Sequence, residues 1–198
     1  MKIKICGLTK ERDIDCVNRL LPDFCGFVFA PGSRRFVDRE AARGLKKRLD
    51  PAVKAVGVFV NAKPEEAAEM YREGIIDLIQ LHGREDETYI RRLREITDCP
   101  LIQAFSVRGQ EDLLRAEKSS ADFVLLDNGP GGTGQPFDWR LLKGFGRPYL
   151  LAGGISPDTV EAALALEPWG LDMSSGVETD GVKDPLKIET CIRRIRNV

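Results

Sequence analysis

Eight short apolar runs recur along the 198-residue chain, and their regular spacing constrains the fold more than any other feature. The runs are Ile3–Cys6, Phe24–Ala30, Ala55–Val60, Leu78–Leu81, Leu101–Val107, Phe123–Leu126, Tyr149–Ala152 and Leu171–Met173. Several are β-branched and almost continuously apolar, as strands buried on both faces must be. Amphipathic, charged stretches lie between them and read as helices over Val37–Leu49, Pro64–Glu73, Glu85–Ile96, Gln110–Lys118, Trp139–Gly144, Pro157–Leu166 and Asp184–Arg196. Thr9 reads as the cap of a further helix beginning near Lys10. Asn61 ahead of Pro64, Ser156-Pro157-Asp158 and Asp184-Pro185 supply further start signals. Strand–helix units of roughly 25 residues each, repeated eight times, predict the α/β class and a small single-domain (β/α)8 TIM barrel over residues 1–198. An open doubly wound sheet competes, but the first strand is not followed by a GxGxxG. The chain is near the lower size limit for a barrel, so its loops must be short.

Composition narrows the partners. A net charge of −1 disfavours a general nucleic-acid binder. No apolar run approaches the roughly 20 residues that span a bilayer, so no membrane partner is expected. No leader is expected ahead of the first strand. The five cysteines (Cys6, Cys16, Cys25, Cys99 and Cys191) are odd in number, irregularly spaced and lack a CxxC pair. They read as free thiols in a reducing, cytoplasmic setting rather than a disulfide framework or zinc site. His82 is the single histidine, which rules out a multi-histidine metal site within one chain. No metal and no cofactor are expected.

Barrel enzymes work at the C-terminal ends of their strands, so the residues just after each run are the candidates. Lys2, Lys4 and Cys6 share one face of the first strand, Ile3 and Ile5 the other, and Gly7 breaks the pattern. Cys6 thus stands where strand passes to loop. The plain alternative is one more small buried residue, the usual fate of a free cysteine. After the second run come Arg34 and Arg35, able to grip a carboxylate through paired N–H donors or simply to form a solvated basic loop. His82 follows the fourth run. Asp127 follows the wholly apolar Phe123–Leu126, where partial desolvation would raise its pKa and suit it to donate a proton. The alternative is a turn-capping carboxylate. The glycines beyond it, through Gly134, are free to approach a ligand closely. Gly153 and Gly154 follow the seventh run; Asp172, Ser174 and Ser175 end the eighth. Small residues at these two ends, with a short helix N-terminus nearby, read as a phosphate cup. A thiol, an isolated acid, an arginine and a phosphate cup together suit proton shuffling on a small phosphorylated acid.

These motifs, taken in order, resemble phosphoribosylanthranilate isomerases over essentially the whole chain. They are KICGLT at 4–9, GFVFA and SRR within 26–35, VGVFVN at 56–61, QLHG at 80–83, LLD, GGTG and FDW between 125 and 139, AGG at 152–154 and DMSSGVE at 172–178. The resemblance implies a (β/α)8 barrel that performs an Amadori rearrangement of a phosphorylated ribosyl anthranilate without metal or cofactor. It implies Cys6 as general base, Asp127 as general acid and Arg35 beside the anthranilate carboxylate. His82 and Asp172 would line the substrate, and Gly153, Gly154, Ser174 and Ser175 would hold the phosphate. Arg34 falls where the family varies, and the stretch from Asp127 to Gly131 is shorter than in many relatives. Lys4, on the Cys6 face, reads as a charge that would lower the thiol's pKa or as a buried structural stem. Two rivals remain: the histidine-synthesis isomerase of similar chemistry, disfavoured by a cysteine where its first aspartate would stand, and a non-catalytic phosphate-binding barrel. A monomer or a homodimer fits the outer helices.

Overall fold

The computed structural model describes residues 1–128 and 138–197. Eight parallel strands close into a barrel in chain order: β1 (Lys2–Cys6), β2 (Phe24–Val28), β3 (Lys54–Phe59), β4 (Leu78–Leu81), β5 (Leu101–Ser106), β6 (Phe123–Asp127), β7 (Tyr149–Leu151) and β8 (Gly170–Met173). β8 pairs back onto β1, with Lys4 opposite Asp172, and this closure brings the two ends of the chain together. The ring outside is made by α1 (Glu11–Leu20), α2 (Arg39–Arg48), α3 (Pro64–Arg72), α4 (Glu87–Ile96), α5 (Gln110–Glu117), α6 (Val160–Leu164) and α7 (Pro185–Arg196). The glycine-rich segment 129–137, expected to approach a ligand, lies outside the described residues.

Strand alternation builds two cores. Ile3 and Ile5 turn outward into the layer between strands and helices, with Ile14 and Val17 of α1 and Ile188 and Ile192 of α7. The opposite face of each strand fills the barrel. Phe24, Val56, Leu78, Ile102, Leu125 and Leu150 pack together there, one from each of six strands. Fully burying a side chain of this size stabilises by about 1.5–3 kcal/mol, so the plug is a strong part of the fold. Nearer the strand ends the inward positions change character. Cys6, Val28 and Val58 form a small separate cluster, and the buried polar groups Lys4, Gln80, Asp127 and Asp172 accompany them.

Some local expectations need correction. Thr9 does not cap α1. The Asp13 carboxylate accepts from the backbone N–H groups of Thr9 and Lys10 at 2.9 and 3.0 Å, capping from inside the first turn. Asn61 does not cap α3 either. It takes a positive φ of 53°, and its side-chain oxygen accepts from the Arg84 N–H, tying the β3 loop to the β4 loop. The Ser156 signal starts only a turn, and α6 begins at Val160. Asp184 does cap α7, accepting from Leu186 and Lys187. The helix expected at Trp139–Gly144 is a single 3-10 turn over Trp139–Leu142. Gly144, Gly146 and Pro148 follow too closely for an α-helix to continue. A small hairpin of β9 (Glu178–Thr179) and β10 (Val182–Lys183) follows β8. Its turn, Asp180-Gly181, has both φ values positive, as a tight two-residue hairpin requires.

Candidate active site

A cavity of about 270 Å³ opens at the C-terminal end of the barrel. It is lined by Cys6, Arg35, His82, Asp127, Gly153, Gly154, Asp172, Ser174 and Ser175. The sequence-derived candidates therefore share one space, although they come from six different strand ends.

Cys6 projects inward from the end of β1 and is 8% exposed. Two residues back on the same face, the wholly buried Lys4 donates from Nζ to Asp172 Oδ1 at 2.9 Å. Burial pushes the Cys6 thiol above its ordinary pKa. Lys4 and Lys183 draw it back down, and Asp172 opposes them. The net direction is upward, which corrects the lowered value expected from a neighbouring lysine alone. Burial also works against the charge on Lys4, but Asp172 and Cys6 outweigh it and hold Lys4 above the usual lysine range. Lys4 is thus a permanent cation beside the thiol, and the thiolate is the form it favours.

Asp127 faces the cavity from the end of β6. Its Oδ1 accepts from the Asn128 N–H at 2.6 Å, and its Oδ2 lies 3.5 Å from His82 Nε2. On the far side of the imidazole, His82 Nδ1 stands 2.8 Å from Gln80 Nε2. Gly153, at φ 83°, passes beneath the carboxylate, and a side chain there would meet Asp127 Oδ1 at 2.8 Å. Glycine is needed at that position both for the backbone angle and for the contact.

Arg35 is not a free clamp. Its Nε and Nη2 donate to the two oxygens of Glu178 at 2.7 and 2.9 Å, a bidentate pair within the protein. Nη1 has no acceptor among the described residues. Arg34 reaches the same carboxylate at 2.7 Å, and Lys183 donates to it at 2.5 Å and to the Ser174 carbonyl at 3.1 Å. Desolvation works against the Glu178 charge, but hydrogen bonds from Arg35 and Lys183 hold its carboxyl below the usual range. Burial in turn lowers Lys183, and Glu178 only partly offsets it. Gly7, at φ 82°, lets β1 turn past the Arg35 stem, because a side chain there would overlap Arg35 Cδ at 2.3 Å.

Opposite this cluster, the loops after β7 and β8 expose backbone. The N–H groups of Gly154 and Ser175 have no acceptor among the described residues. The short helix expected nearby is the 3-10 turn Ser175–Val177, and Ser174 Oγ donates to the Cys6 carbonyl at 3.2 Å. Backbone donors converging on a small concavity suit an anion. Sequence reasoning passed over Gln80, Glu178 and Lys183 as site residues. Glu178 closes the DMSSGVE motif and Gln80 opens QLHG, so both signals were present. The Asp180-Gly181 pair between alternating residues was the hairpin signal that would have brought Lys183 back to Glu178.

The model of the family described as N-(5'phosphoribosyl)anthranilate (PRA) isomerase matches residues 3–194. The N-(5'-phosphoribosyl)anthranilate isomerase of Endomicrobium trichonymphae is 44% identical over 202 residues, covering 100% of this chain and 99% of that one. Among solved structures, a phosphoribosyl anthranilate isomerase in complex with reduced 1-(o-carboxyphenylamino)-1-deoxyribulose 5-phosphate superposes with a TM-score of 0.88 at 33% identity, covering 100% of both chains. Generated monomers of the dimeric phosphoribosylanthranilate isomerase of Thermotoga maritima give a TM-score of 0.88 at 32% identity, again over 100% of both chains.

Proposed function

The chain belongs to the N-(5'-phosphoribosyl)anthranilate isomerase family, and from that premise we propose how its residues divide the reaction. The protein is an isomerase of tryptophan biosynthesis. It converts N-(5'-phosphoribosyl)anthranilate to 1-(2-carboxyphenylamino)-1-deoxyribulose 5-phosphate. Cys6 is the general base and Asp127 the general acid. The observation that carries this division is that a thiol and a carboxylate enter one cavity from β1 and β6, with a fixed cation behind the thiol.

Asp127 gives its proton to the ribose ring oxygen as the C1′–O bond breaks, and the anthranilate nitrogen lone pair forms the C1′=N bond. The Cys6 thiolate then takes the proton from C2′, and the electrons of that C–H bond run toward nitrogen to give an enolamine. Loss of the C2′ hydroxyl proton and protonation at C1′ complete the ketone. Lys4 and Lys183 hold the thiolate during the first step. Gly153, Gly154, Ser174 and Ser175 bind the 5′-phosphate through N–H and hydroxyl donors. Asp172 and His82 face the sugar. Arg35 meets the anthranilate carboxylate with Nη1 while Glu178 keeps its other donors.

The substrate is a small molecule. No helix among the described residues is long and apolar enough to cross a membrane. Five unpaired buried cysteines support the cytoplasm as the place of work. Fluorescence of phosphoribosylanthranilate, generated in situ, should decay when the protein is added. No decay, with turnover instead of the phosphoribosyl aminoaldose of histidine synthesis, would overturn this function. Binding without turnover of either would leave only a phosphate-binding barrel.

A further inference from the structure

We propose that Gln80 is a positioning residue that fixes His82 as its Nε2–H tautomer and thereby presents a neutral donor to Asp127. Gln80 and His82 are two residues apart at the end of β4, so both point into the barrel. The imidazole lies between an amide and a carboxylate: Gln80 Nε2 is 2.8 Å from Nδ1, and Asp127 Oδ2 is 3.5 Å from Nε2. An amide nitrogen donates and does not accept. With the Gln80 amide turned nitrogen-first toward the ring, Nδ1 is the unprotonated nitrogen and the ring proton falls to Nε2, the atom turned to Asp127.

A second observation sets Gln80 apart from a packing residue. It is wholly buried, and its Oε1 has no hydrogen-bond partner among the described residues. The neighbouring inward positions are filled by Leu78, Ile102 and Leu125. An apolar side chain would serve the barrel better here, since a half-satisfied buried amide opposes folding. Departures of this kind from the packing rule concentrate at functional sites.

The consequence falls on the acid. Once Asp127 has passed its proton to the ring oxygen, each carboxylate oxygen needs a donor in a site with little water. Asn128 N–H serves Oδ1, and His82 Nε2–H serves Oδ2 as the site tightens around substrate. The opposite tautomer would turn a lone pair toward the new charge. His82 itself neither gains nor loses a proton in the step.

The kinetic arm of this inference rests on the isomerase reading; the tautomer arm does not. With ¹⁵N-labelled histidine, long-range ¹H–¹⁵N correlation reports one imidazole, because the chain has one histidine. A pyrrole-type Nε2 and a pyridine-type Nδ1 are expected in wild-type protein at neutral pH. A protonated Nδ1 overturns the proposal without recourse to any variant. In Gln80→Leu the two tautomers should mix, and kcat should fall about tenfold, the scale of losing an orienting hydrogen bond behind a contact residue. KM should hold, and the thermal midpoint should stay level or rise. Mixed tautomers with unchanged kcat, or a lower thermal midpoint with the wild-type tautomer intact, would also overturn it. If Gln80→Leu does not fold, Gln80→Met takes its place. Wild-type protein that turns over no substrate defeats the functional reading, and the spectrum still decides the tautomer.

Discussion

Cys6 sits inside a barrel and beside a lysine, and the two pull its thiol in opposite directions. Burial wins, so the thiol lies above its ordinary pKa of about 8.5. The base must be thiolate, and the rate of Cys6 alkylation, which follows the thiolate alone, should rise with pH with its midpoint on the alkaline side of that value in the free enzyme. A midpoint below it, measured on wild-type protein, would show that Lys4 and Lys183 dominate instead. Lys4 is also one half of a wholly interior ion pair. Lys4→Met strands Asp172 and should cost about 3–5 kcal/mol in denaturant unfolding, the usual penalty for halving a buried pair. A loss below about 1 kcal/mol would mean that Asp172 is solvated, as a surface pair is. The candidate acid and base were legible in the sequence because each ends an apolar run, which is a local signal. The ion pairs around them were not. Lys4 and Asp172 are separated by 168 residues and Arg35 and Glu178 by 143, and only closure of the barrel brings them together.

The short hairpin after β8 is the element that completes the site. Its first residue, Glu178, and its last, Lys183, form an ion pair, and the same carboxylate holds Arg34 and Arg35 on the loop after β2. Glu178→Gln should therefore loosen two loops at once. KM should rise more than kcat falls, because the contact is with bound substrate in both ground and transition states; the reverse pattern would place Arg35 in the transition state alone. The acid limb of stability follows from the same residue. Glu178 has a depressed carboxyl pKa in the folded state, so its contribution is complete above the unfolded value of about 4.3 and is lost as pH falls from there through the folded value. Glu178→Gln should flatten the fall in stability below about pH 4.3, read by urea unfolding across that range; an unchanged acid limb would contradict the role. Element boundaries were only partly legible. Apolar periodicity placed the strands, but Thr9 and Asn61 were misread as caps because a cap is a choice among nearby oxygens. Asp13 and the β4 loop won that competition for geometric reasons that composition does not carry.

At the scale of the whole molecule, eight strands closing in chain order put every strand end on one rim, which is why residues from Cys6 to Ser175 share a cavity. The fold class was legible from spacing alone, since few architectures use eight parallel units. The same closure sorts the five thiols. Cys25, Cys99 and Cys191 are wholly buried, Cys16 lies on the buried face of α1, and Cys6 alone among them lines the cavity. Limited alkylation of native protein should label Cys6 first, and inorganic phosphate should slow it by occupying the adjoining cup. First labelling at Cys16 or no protection by phosphate, read by peptide mapping, would contradict the placement of the cup.

The account stands on one acid and one base facing a single substrate. Side-by-side turnover of phosphoribosylanthranilate by wild type, Cys6→Ala and Asp127→Asn tests it most directly. Each variant should keep its thermal unfolding midpoint and lose about 10²-fold or more in kcat, the scale of one general acid–base group. Retention of more than about a tenth of wild-type turnover in either variant would remove that residue from its role.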